Sequence, residues 1–145
     1  MATAATRRTG DAKSPAQTVA MVFGAVYLLV GIAGFFVAKE FTGGSVDDKL
    51  ILFPVNHLHN IVHLAIGAVL LGASRAHASA KGANTAIGAV YLLVALLGFV
   101  GLEFMEELLN IHGSGSADNF LHLVSGAVLL YFGTAGAEQG ARTTA

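Results

Sequence analysis

Apolar residues run in four long stretches, roughly 17–38, 55–75, 84–104 and 117–136, separated by short segments rich in Gly, Ser, Asp, Glu and Lys. Each stretch is about 20 residues, the length at which an α-helix crosses roughly 30 Å of hydrocarbon. The pattern occurs twice. Gly24-Ala25-Val26-Tyr27-Leu28-Leu29-Val30, closing on Gly34-Phe35, returns as Gly88-Ala89-Val90-Tyr91-Leu92-Leu93-Val94, closing on Gly98-Phe99. Asn60-x-x-His63-Leu64-x-x-Gly67-Ala68-Val69-Leu70-Leu71 returns as Asn119-x-x-His122-Leu123-x-x-Gly126-Ala127-Val128-Leu129-Leu130. The order is kept, so the chain reads as a tandem duplication of a two-helix hairpin. The expected fold is an all-α, antiparallel four-helix transmembrane bundle. Each copy holds an even number of spans, which predicts a two-fold axis along the membrane normal.

Local signals fit these elements. Pro54 suits a first helical position ahead of the second span. Ser116 suits an N-cap for the fourth, with Asp118 in its first turn. Gly24, Tyr27, Gly31 and Gly34 share one stripe of the first span, and Gly88, Tyr91, Ala95 and Gly98 share one of the third. Small residues on a stripe let membrane helices pack closely. Residues 1–16 and 137–145 are expected to be disordered cytoplasmic tails around a transmembrane domain at 17–136. Glu103, Glu106 and Glu107 read as a solvated end of the third helix.

Composition sharpens the class. Apolar residues make up 54% and charged residues 12%, where a soluble domain carries about 25% charge. So little polar sequence cannot coat a soluble core around four such helices. Arg7, Arg8, Lys13, Arg75, Lys81 and Arg142 fall on one side of the predicted spans, and Lys39 and Lys49 on the other. That asymmetry puts both termini in the cytoplasm. The first stretch exceeds the core of a signal peptide and lacks a small-x-small cleavage site, so it is expected to be retained. A net charge of −1 and the absence of any basic run exclude nucleic acid as an expected partner. Cysteine is absent, which excludes disulfides, thiolate metal sites, iron–sulfur clusters and covalently attached haem. The bilayer is the expected surrounding, with other membrane proteins or further copies of the chain as possible partners.

The candidate chemistry lies on two polar stripes. Asn56, His59, Asn60, His63 and Gly67 share one face of the second span, and Asp118, Asn119, His122 and Gly126 the matching face of the fourth. Polar groups do not face lipid cheaply, so both faces should point inward. Three readings compete. In the first, Asn56, Asn60, Asn119 and the histidines form an interhelical hydrogen-bonded core. In the second, His63 and His122 hold a b-type haem, with Gly67 and Gly126 leaving room for the macrocycle. In the third, His59, His63, Asp118 and His122 ligate Zn or Fe, and quinone or proton-relay roles stand as further alternatives. His57, His77 and His112 lie away from these faces. No catalytic motif is visible, so no catalytic residue is assigned and an enzyme is not expected.

The motif Asn56-x-x-His59-Asn60-x-x-His63-Leu64-x-x-Gly67, with Asp118-Asn119-x-Leu121-His122-Leu123 and the Gly-x-x-Tyr segments at 24–27 and 88–91, resembles a family of small bacterial membrane proteins. That family is known only as a domain of unknown function and is common in actinobacteria. The resemblance covers roughly residues 18–135. It implies four helices in the bacterial inner membrane and no particular activity. The expectation is a multi-pass membrane protein with a structural or accessory binding role, the haem and metal readings standing as alternatives.

Overall fold

A computed structural model describes residues 12–134. They form, in order, α1 (Pro15–Gly34), β1 (Lys49–Leu50), β2 (Phe53–Pro54), α2 (His57–Ala73), α3 (His77–Val100), α4 (Glu103–Leu109) and α5 (Ala117–Gly133). Arg7, Arg8, Arg142 and the expected tail 137–145 lie outside the described residues. Helices α1 and α3 are long and apolar enough to cross a membrane. Helices α2 and α5 have 17 residues each, shorter than the apolar stretches that contain them.

The element ends follow from local chemistry, and several differ from expectation. Ser14 and Gln17 form a capping box around Pro15, so α1 opens ahead of the apolar stretch and Ser14, Pro15 and Ala16 belong to the helix start rather than to a loose tail. Pro54 sits in β2 rather than opening a helix; α2 begins at His57 behind the N-cap Asn56. Helix α3 begins at His77 and stops at Gly101, whose φ of 75° would cost a residue with a Cβ roughly 1–2 kcal/mol. That break makes Glu103, Glu106 and Glu107 part of a separate short helix, α4, with all three exposed. Ser116 stands at the N-cap of α5 without a side-chain hydrogen bond.

Helix α1 packs chiefly on α2, and α3 on α5. Glycine sets both crossings. A Cβ on Gly24 would sit 2.8 Å from the Leu71 nitrogen, and one on Gly67 would sit 2.9 Å from the Gly24 oxygen. A Cβ on Gly88 would sit 2.5 Å from the Leu130 nitrogen, and one on Gly126 would sit 2.9 Å from the Gly88 oxygen. Backbone touches backbone at both places, which only a residue without a side chain permits. Gly34 likewise faces the Asn60 side chain, and Gly98 that of Asn119. The two pairs meet at Tyr27 and Tyr91, ring centroids 5.3 Å apart, beside buried Ala16, Ala20, Leu70, Ala80 and Leu129.

Polarity is inverted relative to a water-soluble domain. His59, Asn60, His63, Asn84, Asp118, Asn119 and His122 are buried, whereas Leu29 is 68% exposed, Leu96 59% and Val124 62%. One end of the molecule is closed by interlocking loops. The backbone N–H groups of His57 and Leu58 donate to the carbonyls of Glu40 and Phe41, each at 3.0 Å. Asn110, at φ 60°, donates from Nδ2 to the carbonyls of Ser45 (3.2 Å) and Val55 (3.3 Å). Loop 35–56 is thereby tied to α4 above the first turn of α2.

Candidate functional site

Helical spacing on α2 puts Asn56, His59, Asn60 and His63 on one face, and all four are buried. Asp118, Asn119 and His122 are buried on α5. The structure brings His59, His63 and His122 together: one ligand nitrogen from each lies within 4.8 Å of the others. Ring centroids are 4.6 Å apart for His59 and His63, 6.0 Å for His59 and His122, and 6.4 Å for His63 and His122.

Two of these imidazoles are oriented by main-chain carbonyls. His59 Nδ1 lies 2.9 Å from the Leu109 oxygen, and His122 Nδ1 lies 2.7 Å from the Asp118 oxygen. A carbonyl only accepts, so each ring carries its proton on Nδ1 and presents Nε2 as a free lone pair. This is how protein ligands to metals are commonly held. His63 differs. Neither of its nitrogens, nor His59 Nε2, has a hydrogen-bond partner among the described residues.

The other expected site residues divide. Asn56 is not part of an interior cluster. It caps α2 by accepting from His59 N–H at 2.8 Å, and it donates to the carbonyls of Gly43 (3.1 Å) and Leu108 (2.9 Å). Asn119 donates to the carbonyls of Gly113 (3.0 Å) and Ser114 (3.3 Å), while the Asn60 amide finds no partner among the described residues. The Asp118 carboxylate is outside the three-nitrogen group; its main-chain oxygen is what holds His122. Gly67 and Gly126 leave no open space, because the opposing helix backbones fill it. His57 stacks on Phe35 at 5.3 Å, His77 meets Ser14 Oγ at 2.8 Å, and His112 lies 3.0 Å from Glu106.

Tyr27 and Tyr91 belong to the site although the sequence suggested only packing. Tyr27 packs against His63 at 5.4 Å and Tyr91 against His122 at 4.9 Å, both edge-on. The Tyr27 hydroxyl lies close to Ser125 and Tyr91 without reaching hydrogen-bond geometry. The available signal was a phenol at the same place in two otherwise apolar segments of matching sequence. Asn110, which ties the loops, carried no such mark.

The pattern behind this geometry is that of a family. Residues 17–135 match the model of a domain of unknown function, DUF4383. The chain belongs to the DUF4383 family. It matches no curated protein and no solved structure.

Proposed function

We propose that this DUF4383 chain is a multi-pass protein of the cytoplasmic membrane that holds a divalent transition-metal ion on His59, His63 and His122. The membrane assignment is supported by the inverted polarity and by the two long apolar helices. Helices α2 and α5, at roughly 26 Å of helical rise each, stand at the short end of what crosses hydrocarbon. The four then form an antiparallel bundle from a duplicated hairpin. The support is that paired contacts recur: Gly24 on Gly67 and Gly88 on Gly126, Tyr27 on His63 and Tyr91 on His122. The Lys/Arg asymmetry of the loops favours cytoplasmic termini.

The observation that carries the metal reading is the convergence of three buried imidazole nitrogens within 4.8 Å. Nitrogens about 2.0–2.1 Å from one Zn ion lie roughly 3.5 Å apart in tetrahedral geometry, so closure by about an ångström completes the set. A hydrogen-bonded core would pair the ring nitrogens with protein groups, and His59 Nε2 and both His63 nitrogens have no such partner among the described residues. Haem is disfavoured by packing. His59 stands beside both His63 and His122, and the two tyrosines pack against the same rings. A macrocycle has no slot between them. Imidazole donors suit Zn and Fe(II) among others. Three protein ligands leave a fourth position open, as in reactive rather than purely structural zinc sites. Asp118, 1% exposed and with Oδ2 unpartnered among the described residues, stands one turn before His122 on α5.

Metal analysis by mass spectrometry of the full chain, purified in mild detergent without an affinity tag containing histidine, tests this. Near-equimolar metal is expected, lost in His59→Ala, His63→Ala and His122→Ala and kept in His77→Ala. Equal metal in all four variants would remove the assignment.

A further inference from the structure

The capped end of the molecule carries a histidine that the metal centre does not use. His112 follows α4, its side chain 19% exposed, and each of its ring nitrogens meets an oxygen. Nε2 lies 2.6 Å from Asn110 Oδ1, and Nδ1 lies 3.0 Å from Glu106 Oε1. The Asn110 amide is fixed in orientation, because its Nδ2 donates to the carbonyls of Ser45 and Val55. Its Oδ1 is therefore an acceptor, and the Glu106 carboxylate is another. A neutral imidazole has one N–H and one lone pair, so it satisfies one acceptor and sets lone pair against lone pair at the other. Only the imidazolium donates to both.

No other charge takes this place. Glu40, Asp47 and Asp48 stand on loop 35–56, Glu103 and Glu107 on α4 and Asp118 on α5, and among the described residues none of them pairs with His112. Lys39 is hydrogen-bonded to Asp48, Lys49 is exposed on β1, and His57 of α2 stacks on Phe35. What His112 joins is the last turn of α4, a short helix bounded by left-handed Gly101 and Asn110. Three successive carbonyls in that turn hold the rest of the cap. Glu107 accepts from the Gly43 N–H at 2.6 Å, Leu108 from Asn56 Nδ2 at 2.9 Å, and Leu109 from His59 Nδ1 at 2.9 Å. Glu106 and Asn110 bracket these three residues, and His112 holds both brackets.

We propose that His112 is a pH-dependent latch on the cap. As the imidazolium it closes the turn 106–110 and keeps the Leu109 carbonyl on His59; on losing its charge it frees that turn. The contribution is complete where the histidine is charged and is lost as pH rises through its titration. The latch stands on the cap geometry alone, and its consequence for metal exchange rests on the metal centre proposed above. With both termini cytoplasmic the latch lies on the outer side, so external acidity holds the ion in and a rise in external pH speeds its exchange.

Hydrogen exchange of the full chain in detergent tests this, read by mass spectrometry at about pH 6 and about pH 8, on either side of ordinary histidine titration, and corrected for intrinsic exchange. Peptides covering Gly43 and residues 103–113 should be about tenfold better protected at the lower pH, the worth of one charge-assisted hydrogen bond. His112→Gln should exchange at both values as the parent does at the higher one. Glu106→Gln, whose amide donates to a neutral imidazole, should stay protected at both. No pH response in the parent, or the same response in His112→Gln, overturns the latch. Loss of bound Zn²⁺ to an external chelator, taken relative to Glu106→Gln at each pH so that titration of the ligands cancels, should be several times faster at the higher pH. A constant ratio overturns the coupling to His59. A parent that takes up no Zn²⁺ overturns the metal centre instead, and hydrogen exchange decides the latch by itself.

Discussion

Replacing Gly88 by Ala adds one methyl where α3 meets α5. The new Cβ would lie 2.5 Å from the Leu130 nitrogen and 2.9 Å from the Gly126 oxygen, where ordinary contact begins at 3.4 Å. Both obstacles are main chain, so no side-chain rotation relieves them and the helices must part by close to an ångström. Overpacking of this kind costs about 1–3 kcal/mol. Helix propensity works the other way, since Ala is favoured over Gly by about 1 kcal/mol inside a helix. Gly82→Ala, in the same helix with nothing within 4 Å of its new Cβ, isolates that favourable part. The expected result is a lower midpoint for Gly88→Ala and an equal or higher one for Gly82→Ala, by thermal unfolding in detergent followed by circular dichroism. Parting α3 from α5 also draws Tyr91 from its packing with His122, so Gly88→Ala should weaken metal binding and Gly82→Ala should not. If Gly88→Ala is as stable as Gly82→Ala, the close crossing is not what holds this pair together.

Other predictions concern the loops and the topology. Asn110→Ala should destabilise the cap by about 2–3 kcal/mol, losing the hydrogen bonds to Ser45, Val55 and His112 and straining a left-handed residue, while Asn110→Gly should recover about 1 kcal/mol of that; equal proteolysis of loop 35–56 in both variants would refute the backbone part. The Lys39 ammonium hydrogen-bonded to Asp48 holds that carboxyl below the usual carboxylate range, and Asp48 in turn raises Lys39. The pair should therefore stabilise the loop at neutral pH, failing as pH drops through the lowered Asp48 value or climbs through the raised Lys39 value. The stability difference between the parent and Asp48→Asn should vanish in acid and persist at pH 7. Single cysteines at Ser45 and Ser114 should react with a membrane-impermeant maleimide on intact cells, and one at Ser79 should not; the reverse pattern would invert the orientation.

The parts of this molecule legible from residue pattern are those that recur or repeat with helical period. Gly24 and Gly88, or His63 and His122, stand out because each has a counterpart in a segment of matching sequence. Helices α1, α2, α3 and α5 were visible as apolar stretches, with ends displaced by caps such as Ser14–Gln17 and by the Gly101 break. The short elements were not visible. Helix α4 spans Glu103–Leu109 and the hairpin pairs only Lys49 with Pro54 and Leu50 with Phe53, too short for any periodicity to declare itself. Their order comes from long-range ties such as Asn56 to Leu108 and Asn110 to Val55. The site was half legible for the same reason. Helical spacing placed His59 and His63 on one face, but Asn56 looks the same on a helical wheel whether it caps the helix or enters the interior. The tyrosines were hidden by residue type, because a phenol in an apolar segment reads first as packing.

X-ray absorption at the metal edge of the purified full chain tests the central claim most directly. Three imidazole nitrogens near 2.0–2.1 Å, falling to two in His63→Ala with any residual metal, are the predicted result. A shell of oxygens alone, or a nitrogen shell unchanged by His63→Ala, would contradict the three-histidine centre.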